Sequence, residues 1–228
     1  MTRPRPFPGI GAAVIVLAAA CAPGAAPAPS VTAPSSAHTT AVNPAHIKGV
    51  ARDLPPGYEV TYGIPSAASP RVIWGLDFDV ATMPAQCAAL ADPGAGRDQS
   101  AQGLSGSGAG GIIDAVVVAV RPGAVALGDD LVAACGQWTM TAGHSTAAVS
   151  LTDAPHIDGV ETVAMVADIR TSVEAGTEID SRTYTFTAYL GDYYAFTTLT
   201  TDPGSVLPPL TPQFAADLLV KTVATLRG

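Results

Sequence analysis

Three cysteines carry the most distinctive chemistry in this 228-residue chain: Cys21, Cys87 and Cys135. Cys21 follows Ala18-Ala19-Ala20, which close an apolar stretch of 11 residues from Ile10 to Ala20. Arg3 and Arg5 lie upstream. A positive head, an apolar stretch and small residues before a cysteine is the order of a bacterial export signal whose cysteine is then lipidated. The usual motif has Leu three residues before the cysteine; here Ala18 holds that place and Leu17 precedes it. Eleven apolar residues are too few to span a bilayer, which takes about 20. A diacylated Cys21 would supply the two acyl chains that stable anchoring requires. The alternative is an ordinary leader cut after an alanine, which leaves a secreted protein.

An even pair, Cys87 and Cys135, then remains in an exported chain, and such a pair reads as a disulfide. No C-x-x-C is present, so thiol exchange is not indicated. Gly106 to Gly111 satisfies G-x-G-x-x-G, but a dinucleotide site needs a strand before it and a helix after it. Here a small-residue segment precedes and an apolar, β-branched run follows. Residues 93–111 read as a glycine- and serine-rich loop of high mobility. Its functional version is a lid over a pocket, with Ser105, Gly106, Gly108 and Gly110 at its centre.

Other groups offer less. Ser105 and Ser107 lack the G-x-S-x-G elbow. His38 falls in a polar tether, and His144 and His156 read as solvated loop residues. Asp77 and Asp79 alternate as they would on one strand face, and Asp129-Asp130 open a helix, where acids are ordinary. No metal site, cofactor motif or catalytic set is indicated. Trp74, Trp138 and Phe78 read as core. A net charge of −8 and a pI near 4.7 argue against nucleic acid as partner.

The elements that position these residues follow from periodicity. Residues 1–20 are read as the signal peptide. Residues 21–42, rich in Ala, Pro, Ser and Thr and free of charge, are a disordered tether. Its reach is at most some 65 Å, at about 3.1 Å per residue. Residues 43–228 are a single domain. Asn43-Pro44 starts a helix that Pro55-Pro56-Gly57 stops. Strands are expected at 58–64 and 71–80, a short helix at 83–91, a strand at 112–120 and a helix at 129–135. A hairpin turns about Gly143. Residues 161–174 alternate apolar and polar, and 182–190 and 193–200 continue a three-strand antiparallel meander through Gly191-Asp192. A last helix begins at Thr211-Pro212. The class is α+β: an antiparallel sheet with a long meander and helices packed on one face.

Pro84-Ala-Gln-Cys87-Ala-Ala-Leu-Ala-Asp-Pro93, Gly110-Gly111 before an apolar strand, and Leu131-Val-Ala-Ala-Cys135 resemble mycobacterial exported lipoproteins of unknown function. These in turn are similar to the extracellular sensor domain of a mycobacterial serine/threonine kinase. The resemblance implies an α+β domain with a helix-borne cysteine crosslinked to a later one. It also implies ligand sensing through a cleft. The expected function is therefore a membrane-anchored lipoprotein, not an enzyme, on the outer face of the plasma membrane. It would bind or sense a small amphipathic ligand or a cell-envelope component. The alternative is a structural or protein-interaction lipoprotein without a pocket.

Overall fold

The middle strands of the domain are apolar on both faces, and the fold is organised around covering them. The structure, a computed structural model, describes residues 41–64, 68–173, 176–201 and 206–228. The expected signal peptide, Cys21 and all but the last two residues of the expected tether lie outside the described residues. Nine strands form one sheet in which every neighbour is antiparallel, in the order β1-β3-β4-β9-β8-β7-β6-β5-β2. They are β1 (Glu59–Tyr62), β2 (Ala81–Met83), β3 (Asp98–Gly108), β4 (Gly111–Arg121), β5 (Gln137–Ala142), β6 (Ser145–Thr152), β7 (Glu161–Ser172), β8 (Glu178–Tyr189) and β9 (Tyr193–Thr201). The expected meander is β7-β8-β9, and Gly191 turns its second hairpin with φ of 72°.

One face is covered by the C-terminal helix α4 (Pro212–Arg227) and by a 3-10 helix, η1 (Pro44–Asp53). Pro at the first turn suits both, because its missing N–H has no intrahelical partner there. Asn43 caps η1 by accepting from the Ala45 N–H at 3.1 Å. The Asn43 N–H donates to the Leu226 carbonyl at 2.9 Å, so the two helices are tied end to end. Leu218, Leu219, Val223 and Leu226 of α4 pack with Ile47 and Val50 of η1 over Ile113, Ala115, Phe186 and Leu199. Val42, which the sequence assigns to the tether, already packs against this cluster. The Thr197 hydroxyl donates to the Ala215 carbonyl at 2.8 Å, pinning the helix to the sheet.

The other face is not bare. Three short helices, α1 (Pro70–Ile73), α2 (Ala88–Ala91) and α3 (Asp129–Ala134), lie over it, with a 3-10 turn at Ala85–Cys87. Helices of four to six residues do not persist alone. A disulfide joins Cys87 to Cys135, with a Cα–Cα distance of 5.6 Å, and both cysteines are fully buried beside Leu90, Trp138, Met140 and Met165. Closing a loop of this length stabilises by about 4 kcal/mol on a chain-entropy account.

Two segments depart from expectation. Residues 71–80 are not a strand: Pro70 opens the helical turn α1, Gly75 takes φ of 75° and Asp79 takes φ of 48°. Asp77 and Asp79 therefore share a loop, not a strand face. Residues 98–108 are not a loop or a lid but the full-length strand β3, paired with β4 from Asp98↔Arg121 to Gly108↔Gly111 and with β1 on its other side. Ser105, Gly106 and Gly108 are strand residues, and Gly110 belongs to the tight β3–β4 turn. The glycines are there for contact rather than mobility. A Cβ on Gly106 would lie 2.6 Å from Leu54 Cδ1, and one on Gly108 would lie 2.3 Å from the Tyr58 ring. Leu54 and Tyr58 occupy the space that side chains would otherwise fill.

Gly103 provides the test, because a Cβ there would meet the Ala115 carbonyl oxygen at 2.7 Å. That oxygen belongs to a ladder and cannot retreat cheaply. Gly103→Ala is expected to lower unfolding free energy by about 1–3 kcal/mol in urea titration. Gly136→Ala, where no atom lies within 4 Å, is the control and should leave the midpoint unchanged. Equal effects of the two would refute the packed-strand account of 98–108.

Candidate functional site

Strand β4 reads Gly-Ile-Ile-Asp-Ala-Val-Val-Val-Ala-Val-Arg, and its one interior polar residue is Asp114. Asp114 is 4% exposed, near the start of β4 between β3 and β9, on the face that carries the short helices. Register places Ser105 opposite it on β3 and Thr198 opposite it on β9. The Thr198 hydroxyl donates to Asp114 Oδ2 at 2.7 Å. Burial holds the Asp114 carboxyl above its ordinary value; hydrogen bonds from Ser105 and Thr198 pull it down but do not cancel the burial.

A cleft of about 570 Å³ lies above this row. Asp114 and Thr200 contribute to its floor, and Ile64, Val72, Ile73 and Ile112 make its apolar walls, with Asp77 and Phe78 at its rim. Size and lining fall in the range of small-molecule sites. The wall formed by α1 is held by two fastenings. Trp74 Nε1 donates to the Thr185 hydroxyl at 3.1 Å, which docks α1 on β8. Arg71 Nε donates to Asp92 Oδ2 at 2.9 Å, while its Nη1 donates to the carbonyls of Leu76 and Asp77 at 2.9 and 2.8 Å. That guanidinium shapes the loop that carries the rim.

The residues singled out in the sequence are distributed unevenly about this cleft. Ser105 lies beside the cleft as the cross-strand partner of Asp114, and not as part of a lid. Gly106 and Gly108 face the opposite side of the sheet, under Leu54 and Tyr58. Trp74 and Trp138 are core, at 3% and 4% exposure, but Phe78 is 83% exposed and stands at the rim. His144 lies in the β5–β6 turn and His156 pairs with Asp158 on the surface. Asp129 and Asp130 form the first turn of α3. Among the described residues no group of three or more His, Cys, Asp or Glu is placed to hold a metal ion. Asp114 escaped the sequence reading. Its signal was present, since a lone carboxylate in a run buried on both faces must be hydrogen-bonded or functional.

The chain matches the domain of unknown function DUF5642 over residues 43–227. It belongs to that family. An X-ray structure of an uncharacterised protein from Mycobacterium smegmatis, an Rv0999 ortholog, resembles the DUF5642 domain with a TM-score of 0.61. Identity is 20%, over 83% of this chain and 100% of that one, so the likeness is one of fold. The crystal structure of the extracellular domain of PknH from Mycobacterium tuberculosis gives a TM-score of 0.39 at 15% identity, over 81% of this chain and 93% of that one. The sequence resemblance to mycobacterial proteins of unknown function is met by the family and by the Mycobacterium smegmatis fold. No curated protein matches the chain in sequence.

The raised carboxyl of Asp114 makes a pH prediction for the DUF5642 domain. In the folded state the proton is held more tightly than in the unfolded chain, where the value is near 3.8. Ionisation therefore opposes folding. The cost is absent below the unfolded value, grows as pH rises, and is complete above the folded value. Asp114→Asn removes this cost. Urea titration should show the variant gaining on the wild type between pH 4 and pH 7.5. A difference between the two that does not vary with pH would show that Asp114 ionises as freely as an exposed carboxyl.

Proposed function

We propose that this DUF5642 domain is the ligand-binding part of an exported lipoprotein. In this reading Cys21 carries the acyl chains and residues 22–41 space the domain from the membrane. The cleft over Asp114 then takes a small amphipathic molecule or a cell-envelope component. The observation that carries the binding half is the cleft itself: four aliphatic walls over one buried carboxyl. An interaction protein without a pocket would instead expose a broad flat apolar patch. The anchoring half rests on the order of Arg3, Arg5, the apolar stretch and Cys21. A disulfide between Cys87 and Cys135 fits an oxidising compartment outside the cytoplasm. A hydrolase is not favoured. Ser105 meets Asp114, but no histidine lines the cleft among the described residues.

Two measurements check the two halves separately. Cys21→Ser should move the protein from the membrane to the soluble fraction; equal retention of the variant counts against anchoring. Native mass spectrometry of protein purified from its own host should show a bound small molecule. Val72→Trp, which fills the cleft, should lose it. An adduct retained by the variant would place binding elsewhere.

A further inference from the structure

The charge around the cleft narrows the ligand. Two carboxyls face it, Asp114 at the floor and Asp77 at the rim, and no basic residue lines it among the described residues. The helix α1, which forms one wall, carries Arg71. That side chain is held by Asp92 on one side and by two backbone carbonyls on the other, so its charge is already matched. The hydrogen-bond partners of Asp114 are hydroxyls, which orient a carboxylate but carry no charge to balance it. An ionised carboxylate buried without a counter-charge is costly, and a cation brought to it recovers part of that cost. An anionic headgroup would face both carboxyls and gain nothing. A neutral headgroup would leave the floor uncompensated. Phe78 at the rim, 83% exposed, offers an aromatic face of the kind that attracts ammonium groups.

We infer that the cleft selects a cationic amphiphile, with an amine or ammonium group meeting Asp114 and an apolar body lying between Val72, Ile73 and Ile112. This rests on the ligand-binding reading above. The cation takes the place of the missing counter-charge, and Asp77 adds to the attraction at the mouth. Ser105 and Thr198 keep the Asp114 carboxylate turned in the orientation the cation meets.

The test is isothermal titration of the full chain with three probes of equal chain length at pH 7.5: hexylammonium, hexanol and hexanoate. Hexylammonium should bind about tenfold more tightly than hexanol, and hexanoate most weakly. Asp114→Asn should reduce hexylammonium to the level of hexanol. A preference for hexylammonium that survives in folded Asp114→Asn overturns the inference. If circular dichroism shows that variant unfolded, Asp77→Asn on the exposed loop decides. It should weaken hexylammonium two- to threefold, on the order expected for a solvated neighbouring charge, and leave hexanol unchanged; an unaltered preference overturns the inference. Binding of hexanol or hexanoate as tight as that of hexylammonium overturns the cationic selectivity alone. Failure of all three probes to bind overturns both this inference and the ligand-binding reading.

Discussion

A sheet whose middle strands are apolar on both faces needs two covers, and the described residues hold one long α-helix. Strands β4 and β9 carry buried residues on each side, from Ile113 to Val118 and from Tyr194 to Leu199. The helix α4, braced by η1, closes one face with Leu218, Leu219 and Val223. Everything on the other face has to be assembled from segments too short to hold themselves. Residues 68–97 and 122–136 do this with single helical turns, and their order depends on fastenings rather than on helix propensity.

Those fastenings are of three kinds, and each sits where a short element would otherwise drift. The Cys87–Cys135 disulfide joins the 3-10 turn before α2 to the end of α3. Trp74 reaches into the sheet to Thr185. Arg71 ties α1 to Asp92 and to the loop that follows. The Arg71–Asp92 pair is largely desolvated, so its worth is in geometry more than in net stability. Together with the buried side chains of Trp74 and Leu76, it sets the position of the loop with Asp77 and Phe78 over the sheet.

The cleft is the place where this second cover stops. Under the first cover, Leu218, Leu219 and Val223 of α4 and Ile47 and Val50 of η1 pack directly on the sheet. Under the second, the end of the sheet near Ile112, Asp114 and Thr200 is only partly roofed by α1 and its loop. There the row of inward residues changes from Val116 and Val118 to Asp114, with hydroxyls on both neighbouring strands. A polar row at the open end of an apolar sheet tolerates burial because Ser105 and Thr198 satisfy the carboxyl. The same feature that permits the fold leaves a hydroxyl-bonded carboxyl facing a cavity with no basic residue in its lining among the described residues.

The sequence by itself determined the α+β class, the meander β7-β8-β9, the hairpin β5-β6, α3 and α4, because each carries a periodic apolar signal or a turn residue at its end. Alternation in 161–172 fixed which residues of β7 are wet: Asp168 and Arg170 do face solvent, where they pair with Arg182 and Asp180 of β8. Two things were decided only by tertiary structure. Strand β3 gave no signal, because glycines replace the apolar residues that would have marked its packed face, and the reason lies in Leu54 and Tyr58 pressing on them. The site was equally hidden. Asp114, Ser105 and Thr198 are brought together by register across three strands, and Val72, Ile73 and Phe78 by a helical turn and the loop after it, a stretch that the sequence presents as a strand. Local pattern sets which elements form; the contacts that turn them into a cleft join residues up to about a hundred positions apart, and no local periodicity records them.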